Sequence, residues 1–276
     1  MCPAYLPQKT NHHNPDLTIM KHLLLTLIAV ISMMTCGATE TIVIMTQDTP
    51  LKDQWWFTTG SSGTSLREND IKNNWNYDRY ITSAAWTSNG WFMVMSKGVT
   101  WTNQSYKLSS SWPESFIREK RGLGYYITSL TARNSQWLVV MSQGTGYSDQ
   151  QVCSAPWSTL KDWIKGWWDK GYYITGICCQ NSLWTVVMSY GSGVKYTAQA
   201  YMWATTSSSI GEKIKSKWDE GYLITAMNYG DGEFFCVMSK YPGSSAALQS
   251  YKINTDFKDF VTKKTDEGYL ISYVGG

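Results

Sequence analysis

Residues 124–173 read GYYITSLTARNSQWLVVMSQGTGYSDQQVCSAPWSTLKDWIKGWWDKGYY, opening and closing on the same phrase, Gly-Tyr-Tyr. The isoleucine that follows the phrase returns at Ile81, Ile127, Ile174, Ile224 and Ile271, in steps of 46, 47, 50 and 47 residues. From each of the first four, a Met-Ser pair follows after 14 residues, at Met95, Met141, Met188 and Met238. A spacing held constant four times marks a repeat protein, and the repeat governs the reading of the rest.

Each unit has one grammar. A strand around Tyr-Ile-Thr comes first, then one such as Trp184-Thr-Val-Val-Met-Ser189. Alternation puts Trp184, Val186 and Met188 on one face and Thr185 and Val187 on the other. Trp91-Met93-Met95, Trp137-Val139-Met141 and Phe234-Cys236-Met238 repeat the pattern. Strands apolar on both faces need cover front and back. A turn follows at Lys97-Gly98, Gln143-Gly144 and Tyr190-Gly191. A third strand carries Gln104, Gln150, Gln199 or Gln249, with Tyr106, Val152, Tyr201 or Tyr251 two residues on. A short helix closes the unit, clearest at Leu160–Trp168 and Ile210–Trp218. There Trp163 with Trp167, and Ile210 with Ile214 and Trp218, share faces. Gly171, Gly221 and Gly268 stand where a helix ends on a left-handed residue, and Asp78 takes that place in the earliest unit.

The first and last units complete each other. Thr41-Ile-Val-Ile-Met45-Thr46-Gln47 matches the Met-Ser strand with no Tyr-Ile-Thr strand before it. Gln54 and Trp56 then match the Gln strand, and Ile71 with Trp75 the helix. Gly268–Gly275 is a Tyr-Ile-Thr strand with no Met-Ser strand after it. Such a permutation suits a closed ring, which leaves no exposed edge. The expected fold is all-β with short helices: a five-unit closed ring, a five-bladed β-propeller shut by pairing of N- and C-terminal strands. Another closed toroid of βββα units is the alternative.

The composition narrows the chemistry. A net charge of +3 with scattered Lys and Arg gives no nucleic-acid footprint. His12, His13 and His22 are the only histidines, so the body of the chain has none for a Ser-His-Asp or Cys-His site or a His-based zinc site. The six cysteines form no CxxC pair; buried free thiols and one or two disulfides both fit. No cofactor, metal site or catalytic residue is expected.

The N-terminus reads as an address. Met20-Lys21-His22 leads a 12-residue apolar run, Leu23 to Met34, followed by Thr35-Cys36-Gly37-Ala38. That is the form of a signal peptide starting at Met20 and cleaved near Ala38, and the run is short for a membrane span. Residues 1–38 are therefore assigned to an extension and leader, and 39–276 to one five-repeat domain, secreted or periplasmic. Lipidation at Cys36 is the lesser alternative, because Met33, Met34 and Thr35 make a poor lipobox.

The units Trp91-Phe-Met-Val-Met-Ser-Lys-Gly, Trp101-Thr-Asn-Gln-Ser-Tyr-Lys-Leu and Gly124-Tyr-Tyr-Ile-Thr-Ser resemble repeats in the C-terminal region of plant casein kinase I-like protein kinases. The resemblance spans 41–276 and is strongest over 78–225. It implies an accessory domain without catalytic residues. The sequence has no Gly-rich loop, Val-Ala-Ile-Lys, His-Arg-Asp or Asp-Phe-Gly.

Three functions compete. A monomeric, non-catalytic module binding a protein partner is the first. The second is a five-bladed lectin binding glycan through Trp101, Tyr147 and Tyr196, three residues before the glutamines, together with Gln104, Gln150 and Gln199. Against it, a recurring Gln braces buried backbone and a recurring aromatic fills core, and Leu51 and Ala246 break the pattern. The third is a glycosidase with paired carboxylates. Asp169, Asp219 and Asp266 recur at helix ends, as capping residues do, whereas Asp149 and Asp231 break the symmetry without a visible partner. No membrane contact is expected beyond the leader.

Overall fold

The computed structural model describes residues 40–60, 65–133, 135–242 and 248–276. The expected leader, Cys36 and Ala246 lie outside them. The chain begins β1 (Ile42–Thr46), β2 (Lys52–Thr58), α1 (Glu68–Trp75), β3 (Tyr80–Thr87), β4 (Gly90–Lys97). It continues β5 (Asn103–Ser109), α2 (Glu114–Gly122), β6 (Tyr126–Arg133), β7 (Gln136–Gln143), then β8 (Asp149–Ala155), α3 (Trp157–Trp168), β9 (Tyr173–Gln180), β10 (Leu183–Tyr190). The last third is β11 (Ala198–Ala204), α4 (Ser207–Asp219), β12 (Leu223–Gly230), β13 (Glu233–Lys240), β14 (Gln249–Ile253), α5 (Lys258–Asp266), β15 (Leu270–Gly275).

The 15 strands form five three-stranded antiparallel sheets, ordered β2-β4-β3, β5-β7-β6, β8-β10-β9, β11-β13-β12 and β14-β1-β15. The Met-Ser strand is central in every sheet. Its partners differ from the grouping read in the sequence, where each Gln strand is the third strand of the unit whose Met-Ser strand precedes it. In the fold, Gln104 on β5 lies opposite Ser142 of the following Met-Ser strand, and the glycine turns lead out of one sheet into the next. The reason is geometric. The two outer strands both run antiparallel to the central one, hence parallel to each other, and parallel strands need a long crossover. The helix supplies it. The fifth sheet draws β1 from the N-terminal end and β14 and β15 from the C-terminal end, with Ile42 opposite both Ile253 and Gly275.

Burial matches a strand covered on both faces: Trp184, Thr185, Val186, Val187 and Met188 of β10 are each at most 2% exposed. The core lies between consecutive sheets. Val186 and Met188 of β10 pack with Phe235 and Val237 of β13 and with Leu160 and Ile164 of α3. Val43 and Met45 of β1 pack with Phe92 and Val94 of β4. Each such side chain contributes about 1.5–3 kcal/mol on burial. The Tyr-Ile-Thr strands touch in sequence: β3 meets β6, β6 meets β9, β9 meets β12, β12 meets β15, and β15 meets β3. Serine hydroxyls cross these seams, Ser129 Oγ accepting from Ala84 N at 3.1 Å and Ser83 Oγ from Val274 N at 2.9 Å.

The helices end as their sequences indicate. Gly171 stands at φ 83° and Asp78 at φ 56°, both left-handed. Asp tolerates that region better than most side chains because its short polar group bonds locally.

Cys178, Cys179 and Cys236 are free thiols. Burial pushes the Cys179 thiol up to about 12, helped by Asp231, which leaves it protonated and unreactive near neutral pH. Among the described residues no helix is long and apolar enough to cross a membrane.

Candidate functional site

Each recurring glutamine occupies the same place, at the seam between its own sheet and the one before. Gln104 Oε1 accepts from Ile81 N at 2.7 Å and Trp75 Nε1 at 3.1 Å. Its Nε2 donates to Ile81 O and Ser142 Oγ, both at 3.0 Å. An amide has two acceptor sites and two donors, so this one is saturated. Gln199 repeats all four bonds with Ile174, Trp168 and Ser239. Gln150 makes three, with Ile127 and Ser189, because Arg121 stands where the indole would be. The isoleucines lie on edge strands beside a one-residue bulge, as at Ile81/Ser83. The glutamine side chain satisfies the exposed edge amide as a fourth strand would.

The aromatics three residues earlier also cross the seam. Trp101 meets Tyr80 at 6.4 Å between ring centroids, Tyr147 meets Tyr126 at 6.1 Å, and Tyr196 meets Tyr173 at 5.8 Å, all edge to face. Tyr196 further meets Tyr241 at 5.2 Å. Burial, reinforced by Tyr241, pushes Tyr147 up to about 12 and raises Tyr196 well above the usual phenol range. The six residues Trp101, Gln104, Tyr147, Gln150, Tyr196 and Gln199 thus join neighbouring sheets; of them only Tyr196 lines the cavity described next.

In the remaining two seams the aromatic pair is gone. Leu223 takes the place of Tyr80, Tyr126 and Tyr173 in one, and in the other Leu270 and Leu51 take the two positions. A cavity of about 640 Å³ opens there. Leu51, Leu223, Leu248 and Pro50 give it apolar wall, Tyr196 and Tyr241 aromatic wall, and Thr46, Gln47, Asp48, Thr49, Thr225 and Ser272 polar groups. The sequence singled out Leu51 and Ala246 only as gaps in a pattern. That Tyr80, Tyr126 and Tyr173 are lost at the same seams, to Leu223 and Leu270, was the signal available and missed.

Three of the carboxylates raised as catalytic candidates, Asp169, Asp231 and Asp149, are engaged elsewhere. Asp169 meets Lys165 Nζ at 2.8 Å on exposed surface, and Asp231 accepts from Ser182 Oγ at 2.6 Å. Burial pushes the Asp149 carboxyl up, but hydrogen bonds from Tyr172 and Gln151, with Arg121 beside it, outweigh this and hold it below the usual range. Among the described residues, no three His, Cys, Asp or Glu side chains cluster as metal ligands would.

Five three-stranded sheets joined by amide clamps, with a cavity lined by Leu51 and Leu223, define an all-β repeat protein with short helices. The chain belongs to the family described as Domain of unknown function (DUF7477), whose model matches residues 26–155 and again 158–276. The break falls at the entry to α3. No curated protein and no solved structure matches the chain.

Proposed function

We propose that this protein is a non-catalytic binding module, built as a five-bladed β-propeller, with one recognition site in the cavity beside Leu51 and Leu223. Support for the ring comes from the run of strand neighbours that returns from β15 to β3 and from the pairing of β1 with β15. One observation carries the binding role: the aromatic pair that fills three seams is broken in the other two, by Leu223 in one and by Leu51 and Leu270 in the other, and Leu51 and Leu223 line a cavity of about 640 Å³. An empty volume that a repeat already knows how to fill costs stability, and about 640 Å³ is within the usual range for ligand sites. The resemblance of the repeats to an accessory region of kinases favours binding over catalysis, and the leader motif favours work outside the cell.

The test fills the cavity. Leu223→Tyr restores the residue of the sister seams, and Leu51→Trp restores the Trp101 type. The double variant should melt at the same temperature as the parent or higher. In a thermal-shift screen against saccharides and short peptides, ligands should stabilise the parent and not the variant. Ligands that stabilise both equally, or none that stabilise the parent, would remove the cavity as the recognition site.

A further inference from the structure

We infer that the cavity takes a neutral saccharide, an inference that rests on the cavity being the recognition site. Charge comes first. Among the described residues the lining has no Lys, Arg or His, and its one carboxylate is Asp48. Phosphates, uronates and other anions would enter without a counter-charge, at a high desolvation cost.

Hydrogen-bond direction comes next. Gln249 Nε2 donates to Thr46 Oγ1 at 3.1 Å, Thr46 and Ser272 share a bond of 2.8 Å, and Ser272 Oγ donates to Ile44 O at 3.3 Å. The relay has one consistent sense: Gln249 to Thr46, Thr46 to Ser272, Ser272 to a backbone carbonyl. The adjacent sheet runs the same relay from Gln199 through Ser239 and Thr225 to Val237 O. The hydroxyl protons are therefore committed inward. A hydroxyl has one proton and two acceptor sites, so Ser272 keeps one lone pair for a ligand. Thr49 Oγ1 accepts from Leu51 N at 3.2 Å, which leaves its proton to give. Gln47 Nε2 gives one proton to Glu267 O at 2.6 Å and retains the other. The polar groups thus offer the Ser272 lone pair and the Asp48 carboxylate as acceptors, and Thr49 and Gln47 as donors. Sugar hydroxyls, which donate and accept, match such a surface.

The rest of the lining completes the match. Tyr196, Tyr241, Leu51, Leu223 and Leu248 present ring and methyl surface, as the C–H face of a pyranose requires. An organic ammonium ion would also suit Asp48 and two tyrosines. Against it stand the size of the cavity, about twenty waters at roughly 30 Å³ each, and the polar groups that such an ion would leave unpaired.

The experiment titrates the full chain, by calorimetry, with neutral methyl glycosides of glucose, galactose and mannose, with lactose and cellobiose, and with methyl glucuronide and tetramethylammonium chloride. Three proteins are compared: parent, Leu223→Tyr and Asp48→Asn. Asn keeps the fold at position 48, where φ is 50°, because it too accepts the left-handed region. A neutral glycoside should bind the parent with an affinity that salt does not change, at least tenfold more tightly than the glucuronide. Leu223→Tyr should abolish that binding, and Asp48→Asn should weaken it about tenfold, the loss of one hydrogen bond to a charged group (about 1.4 kcal/mol). Tetramethylammonium binding lost in both variants, without glycoside binding, would overturn the saccharide and leave the recognition site standing. Glycoside binding untouched by Leu223→Tyr would overturn both. Silence from every probe would overturn the saccharide.

Discussion

Gln104 spends its whole amide on four partners in two sheets, and it is only 6% exposed. Its removal would strand the N–H and C=O of Ile81 and the indole N–H of Trp75. Each unsatisfied buried group costs about 1–3 kcal/mol. Gln104→Ala should therefore lower stability by about 3 kcal/mol or more, measured by urea unfolding; a loss below about 1 kcal/mol would mean that water replaces the clamp. The recurrence of the glutamine was plain in the chain, and so was the argument that such a residue braces backbone. Its partner was not. Ile81 is 23 residues away across a sheet boundary, and no local periodicity links a side chain to a backbone amide at that distance. The same holds for Leu223, whose meaning depends on the residue that Tyr80, Tyr126 and Tyr173 each meet across the seam.

Among the elements, the helices were the easiest to place and the strands the hardest to group. Leu160 and Ile164 are fully buried at the four-residue spacing of one helix face, and α3 begins three residues before the apolar signal because Pro156 starts it. In α4 the Thr206 side chain accepts from Ser209 N at 3.2 Å, a cap that no side chain provides at the starts of the other described helices. Thr206→Ala should cost about 1 kcal/mol. A melting curve that matches the parent would show that tertiary packing of Ile210 and Ile214 alone sets this helix end. Grouping failed for a different reason. Apolar residues on both faces reveal that a strand exists and is buried front and back, but they carry no direction, and direction decides which strands are neighbours.

At the scale of the molecule, the first and last described strands meet in one sheet. β1 lies between β14 and β15, and its Ile42, Val43, Ile44 and Met45 are fully buried. Without 268–276 the strand loses one partner, and the β3 edge loses the Ser83 bond to Val274. Deletion of 268–276 should abolish cooperative unfolding, read by near-ultraviolet circular dichroism on heating. A truncated chain that melts as the parent does would refute the proposed ring.

Taken alone, the amino-acid sequence determined the number of units, their strand and helix types, the burial of the Met-Ser strand on both faces, and the pairing of the chain's two ends. All of these follow from periodicity and from the missing pieces at the termini, which are one-dimensional properties. Only the tertiary structure decided which strand joins which sheet, what each glutamine clamps, and where space is left over. Those depend on strand direction and on contacts between residues more than 20 positions apart. A cavity, moreover, is the absence of atoms: it becomes visible only once the seams are assembled and Leu51 and Leu223, far apart in the chain, are found to line one space.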